Sequence, residues 1–190
     1  MSEDKRVETE DRELVERMAM KDATALDAFY TRYNRLAFGF VLRIVGNRAD
    51  AEDVLTDVFW QVWQQSSRYD SSRGKPIAWL LTIARTRAID SVRSTNRQQV
   101  RTDELDAQKH PAASLSPSEP DSFVLAGMRN AVHEALQTLA EQQRIPLEMA
   151  YFQGMSHTEI ATALGQPLGT IKDRIRTGMA HLRKRLKAYL

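Results

Sequence analysis

The chain has 190 residues, 42% hydrophobic and 27% charged, with no cysteine and a formal net charge of +2. That is enough chain for one ordinary domain or two small ones, and it excludes a disulfide framework and a thiolate metal site. No apolar run of about 18 residues is present, which argues against direct membrane insertion, and the acidic N-terminus does not read as a signal peptide. A cytoplasmic protein is expected.

The modest net charge hides an asymmetry. Residues 1–16 carry seven acids against three bases, a net of −4, whereas residues 168–190 carry seven bases against one acid, a net of +6. A basic end of that kind calls for a polyanionic partner.

Helical periodicity dominates and no alternating strand pattern stands out. Residues 1–10 are expected to be an acidic tail. A first helical block is expected over 11–96. Within it Asp22 is a candidate N-cap for a helix reaching Ile44, with Leu26, Phe29, Tyr30, Tyr33, Leu36, Ala37, Phe40 and Val41 three and four apart, and Gly46-Asn47 as its stop. The next helix spans about Ala49 to Gln65. Its core face carries Ala51, Val54, Leu55, Val58, Phe59, Val62 and Trp63, and an outer stripe carries Asp50, Asp53, Asp57, Gln61 and Gln64. Trp60 and Trp63 are expected to pack rather than to stack on a ligand.

A polar loop, Ser66 to Lys75, precedes Pro76, which suits a first helical turn because the N–H it lacks would have no partner there. That helix is expected to end near Arg93, with Trp79 in the core beside Leu80, Ile83 and Ile89. From Arg68 to Arg101 eight bases face two acids, a net of +6.

Residues 97–120 are rich in Gln, Ser and Pro and poor in apolar residues, and read as a linker. Its 24 residues reach at most about 80 Å. A second helical block is expected over 121–190. Leu125, Met128, Val132, Leu136 and Leu139 form a stripe, and a further helix runs from Ile145 to Phe152.

The last segment is the most specific. Ser156-x-x-Glu159 is a capping box, Gly165 permits a turn, and a second helix places Leu168, Ile171, Ile175, Met179, Leu182 and Leu186 on one face. Thr170, Lys172, Asp173, Arg174, Arg176 and Thr177 are left outside, suited to phosphates and base edges. This is a helix-turn-helix with a basic second helix.

No catalytic constellation accompanies these features. The four histidines are scattered and no phosphate loop or nucleophile motif is present. The chain is expected to be neither an enzyme nor a cofactor or metal carrier.

The motifs Asp50-Ala-Glu-Asp-Val-Leu-Thr-Asp-Val-Phe59, Pro76-Ile-Ala-Trp-Leu-Leu-Thr-Ile-Ala-Arg85 with Ala88-Ile-Asp-Ser-Val-Arg93, and Glu159-Ile-Ala with Leu164-Gly and Gly169-Thr-Ile-Lys-Asp-Arg174 occur in this order. Together they resemble the extracytoplasmic-function sigma factors of bacterial RNA polymerase, over about Asp11 to Arg185. The resemblance implies an all-α protein of two small domains joined by a flexible linker. It assigns Asp50, Glu52, Asp53, Thr56, Asp57 and Gln61 to docking on the clamp of the largest catalytic subunit of core RNA polymerase.

It assigns Arg68, Tyr69, Asp70, Ser71, Ser72, Lys75, Arg85, Thr86, Arg87, Asp90 and Arg93 to the promoter −10 element, in duplex and single-stranded DNA. A base flipped from the opened strand would enter the loop at Tyr69 to Ser72. Ser156, His157, Thr170, Lys172, Asp173, Arg174, Arg176 and Thr177 are assigned to the −35 element. An anti-sigma factor is an implied partner. Thr86, Asp173 and His157-Thr158 depart from commoner family residues, so the resemblance points to a function class and not to a promoter sequence. A stand-alone helix-turn-helix regulator of duplex DNA is the alternative, and a helical interaction protein without a DNA role is a third.

Overall fold

A computed structural model describes the backbone of residues 3–102 and 131–186, and the side chains of 6–95 and 131–186. Most of the expected linker, with Leu125 and Met128 of the expected stripe, lies outside the described residues. All regular structure among the described residues is helical, and the chain divides into two units, Met1–Ser116 and Pro117–Leu190.

In the first unit α1 spans Glu3–Ala19, where residues 1–10 were expected to be a tail. Opposite charges one turn apart stabilise it, Glu8 with Arg12 at 2.6 Å and Arg6 with Glu10 at 3.7 Å. Leu14, Val15 and Met18 give it a buried face. Asp11 is buried and accepts from Arg32 Nη1 at 2.6 Å and from the Tyr33 hydroxyl, so α1 is fastened to the next helix by a desolvated network. Burial pushes the Asp11 carboxyl upward, and the hydrogen bonds from Tyr33 and Arg32 oppose that push.

Helix α2, Ala23–Val45, starts at Asp22, whose side chain accepts from the Thr24 amide at 3.0 Å. It stops at Gly46, whose φ of 87° is the left-handed conformation that glycine enters without penalty. Asn47 then caps α3, Arg48–Gln65, by accepting from the Asp50 amide at 2.8 Å. α2, α3 and α4 pack on one another around Phe29, Val41, Val58, Val62 and Leu80. Each such side chain contributes about 1.5–3 kcal/mol when fully buried.

Helix α4 runs Pro76–Thr102, nine residues past the expected end and six into the expected linker. The physical reason is plain in the sequence: between Pro76 and Pro111 there is neither proline nor glycine to stop it. Trp60, expected to pack, is instead 62% exposed. The alternation of buried Val58, Phe59 and Val62 turns position 60 outward.

In the second unit α5 is described over 131–137, followed by α6 (Glu141–Tyr151), α7 (His157–Leu164) and α8 (Leu168–Arg185). α6 begins four residues before Ile145 and holds the buried Pro146 in its interior. The core gathers Ala135, Leu136, Leu139, Leu147 and Leu182, with Phe152, Met179 and Leu186 against it. Val132, expected in that stripe, is 36% exposed. Ile160 of α7 and Ile171 of α8 are fully buried. Gly178 is where α6 and α8 meet, since a Cβ there would stand 3.2 Å from Leu147 Cδ1.

Candidate nucleic-acid interface

The loop between α3 and α4 is held by its own side chains. It contains two short 3-10 turns, Ser66–Arg68 and Ser71–Arg73. The Tyr69 hydroxyl donates to the Gly74 carbonyl at 2.7 Å, and its ring lies 5.2 Å from that of Trp79. Trp79, expected in the core, is therefore a half-buried platform for the loop. Burial holds the Tyr69 phenol above its ordinary range.

Asp70 accepts from the Ser72 amide at 2.9 Å and from the Ser72 hydroxyl at 2.7 Å, and these bonds hold its carboxyl below the usual range. The polar groups of Tyr69 and Asp70 thus shape the loop, leaving the exposed Arg68, Ser71 and Arg73 at its surface. Lys75 pairs with Glu8 of α1 at 3.5 Å. A cleft of about 220 Å³ opens between α1 and the loop, lined by Val15, Glu16, Ala19, Ser66, Ser67, Tyr69 and Ser71.

On α4, Thr86, Asp90 and Arg93 lie four and three residues apart on one exposed line. The Thr86 hydroxyl donates to the Thr82 carbonyl at 2.9 Å. Arg85 is half-buried, and Arg87 turns toward α3, where its Nε donates to the Gln61 side chain at 2.5 Å. Two residues expected at different surfaces, Gln61 and Arg87, therefore fasten α3 to α4.

Along α3, Asp53, Thr56 and Asp57 are exposed, and neither Asp53 nor Asp57 forms an ion pair with a described side chain. Glu52 pairs with Arg48 at 2.8 Å. Asp50 is half-buried at the helix start, tied to Asn47.

In the second unit the capping box is complete: the Glu159 amide donates to Ser156 Oγ at 3.2 Å, and the Ser156 amide donates to Glu159 Oε2 at 2.6 Å. Gly165, at φ 62°, closes α7. α8 then presents Lys172, Asp173, Arg176 and Thr177 to solvent, with Thr170 half-buried and Ile171, Gly178 and Leu182 buried. Arg176 pairs with Asp173 at 3.0 Å. Arg174 is half-buried, donating to Gln166 and, at 3.4 Å, to Gln142 of α6. It braces the turn against α6. His157 is exposed at the start of α7.

Residues 29–98 match the family model Sigma-70 region 2, and residues 129–182 match Sigma-70, region 4. The chain is 32% identical over 173 residues to ECF RNA polymerase sigma factor SigK of Mycobacterium sp. (strain JLS), covering 90% of this chain and 87% of that protein. It is 32% identical over 176 residues to ECF RNA polymerase sigma factor SigK of Mycobacterium tuberculosis (strain ATCC 25177 / H37Ra), covering 90% of each. The chain belongs to the ECF sigma factors. Its function is that of a sigma factor, a transcription-initiation subunit that works with core RNA polymerase on promoter DNA.

Among solved structures it resembles Rhodobacter sphaeroides SigE in complex with the anti-sigma ChrR, with 28% identity, TM-score 0.45, and 93% and 98% of the two chains covered. It also resembles the sigma factor RpoE in complex with the anti-sigma factor NepR from Bartonella quintana, with 22% identity, TM-score 0.43, and 85% and 96% covered.

Three features of this sigma factor escaped the sequence. Glu8 lay in a segment expected to be a tail, although its spacing to Arg12 was visible. Gln142 and Gln166 carried no signal, since their partnership with Arg174 is made only by the fold. Trp60 belonged to the outer stripe by spacing, and its aromatic character hid that.

Proposed function

We propose that this sigma factor docks α3 on the polymerase clamp through Glu52, Asp53, Thr56 and Asp57. The loop Ser66–Lys75 and the Thr86, Asp90 and Arg93 line of α4 take the −10 element. The cleft beside Tyr69 and Ser71 accepts a base extruded from the opened strand, which offsets a few kcal/mol of lost stacking. α8 reads the −35 element in the major groove through Lys172, Asp173, Arg176 and Thr177, while Ser156 and His157 at the start of α7 meet the DNA backbone.

The observation that carries this reading is the division of α8: four polar or charged side chains face solvent directly across from the buried Ile171, Gly178 and Leu182. Bond making belongs to the polymerase, and this chain supplies the address. It acts in the cytoplasm and is held inactive by an anti-sigma factor. No described helix is long and apolar enough to cross a membrane.

Run-off transcription tests the proposal. Fragmented genomic DNA of the source organism is transcribed by purified core polymerase with and without the chain. Discrete new start sites preceded by a shared two-part element are expected. An unchanged transcript pattern overturns it.

A further inference from the structure

The outer face of α3 carries more than charge. Asp53, Asp57, Trp60 and Gln64 follow one another at intervals of four, three and four residues, so they form one line along the helix, and all four are exposed. Trp60, at 62% exposure, is the most exposed aromatic side chain among the described residues. The other two tryptophans have ring partners in the fold: Trp63 lies under Lys21 Nζ at 5.0 Å, and Trp79 lies against Tyr69. Trp60 has none among the described residues.

A large apolar ring left in water on an otherwise polar helix face is the uncommon observation that marks an interaction site. Tryptophan is among the residues most enriched where binding energy concentrates. Carboxylates at the edge of such a site chiefly steer encounter and set register. An indole that becomes buried removes most of its surface from water and slows departure.

We propose that Trp60 is the anchor of the α3 docking face. Its indole seats in an aliphatic notch on the helical surface of the polymerase clamp, between basic side chains that meet Asp53 and Asp57. The clamp is the occupant because the indole is continuous with two exposed carboxylates that have no counter-ion among described side chains, and that pattern fits an apolar notch rimmed with positive charge. Gln61, bonded to Arg87, belongs to the α3–α4 junction and not to this face. The inference rests on docking through α3 and adds the residue that dominates it.

The test measures binding kinetics of the full chain to core polymerase across salt concentrations, with W60A, W60Q and the double variant D53N/D57N. Both Trp60 variants are expected to weaken binding at least tenfold, mainly through faster dissociation, with melting temperatures matching the parent. D53N/D57N is expected mainly to slow association and to flatten its salt dependence. W60Q binding within twofold of the parent overturns the anchor. If D53N/D57N still weakens binding in that case, docking through α3 stands without it; if neither matters, both fall. Trp60 variants that spare core binding but lose the cognate anti-sigma factor also overturn the proposal, by assigning the indole to a different partner.

Discussion

Asp22 caps α2 through the Thr24 amide, accepts from the Thr24 hydroxyl at 2.6 Å and pairs with Arg17 at 2.7 Å. The Thr24 and Arg17 hydrogen bonds hold its carboxyl down to about 2 from the usual 3.8. A lowered folded-state value means that the charged form stabilises the fold above the unfolded value and that this contribution fades as pH falls toward about 2. Asp22→Ala is therefore expected to lower the melting temperature at neutral pH, with a deficit that narrows steadily below about pH 4. A deficit independent of pH would show that the carboxylate charge is not what matters. Asp11 has the opposite sign: burial raises its carboxyl, and the hydrogen bonds from Tyr33 and Arg32 offset that only in part.

At the same scale Arg176, exposed on α8 and paired with Asp173, is available to a base edge or a phosphate. Arg176→Ala should weaken binding to the −35 element by about 1–3 kcal/mol if it reads a base. Competition between cognate and scrambled duplexes decides this: equal loss on both assigns it to a phosphate, and no loss on either removes the contact.

Element by element, the helices meet through very different residues. A capping box starts α7 and a glycine turn leads from it to α8, whereas α6 and α8 meet at Gly178 against Leu147. Gly178→Val would push β-branched bulk into that contact and should destabilise the second unit by about 1–3 kcal/mol, measured by chemical denaturation of the full chain. An unchanged midpoint would show that α6 moves aside.

These elements also show where sequence reasoning has purchase. Asp22, Gly46, Ser156, Glu159 and Gly165 act within a turn or two of where they stand, so their roles were legible from local spacing. Tertiary placement was not. Arg174 has the chemistry of a DNA contact, and the fold also gives it Gln142 and Gln166 as partners, which the sequence did not signal. Asp70 has the chemistry of a base acceptor, and one of its oxygens also accepts from Ser72 to shape the loop. Polar groups advertise bonding capacity, and only the fold decides how much of it is used internally. The extent of α1 and α4 was misjudged for a related reason, since polar composition was taken for absence of structure where charge pairing and uninterrupted helix formers prevail.

At the scale of the molecule, an acidic beginning and a basic end are set on different units. Glu8 and Glu10 are engaged with Lys75, Arg12 and Arg32 of the same unit, so the acids of α1 are partly neutralised within the first unit.

The length of α4 carries one more consequence. Residues 97–102, expected to be tether, are helix. Six helical residues advance about 9 Å where extended chain would advance about 20 Å. The greatest reach across 97–120 thereby drops from about 80 Å to about 70 Å, close to two turns of duplex. A shorter reach leaves less tolerance for an added base pair, which adds about 3.4 Å and a twist of a tenth of a turn. Promoter output is therefore expected to fall as base pairs are added to the spacer, as transcription from a spacer-length series would show. Inserting a run of Gly and Ser after Thr102 should make that fall shallower.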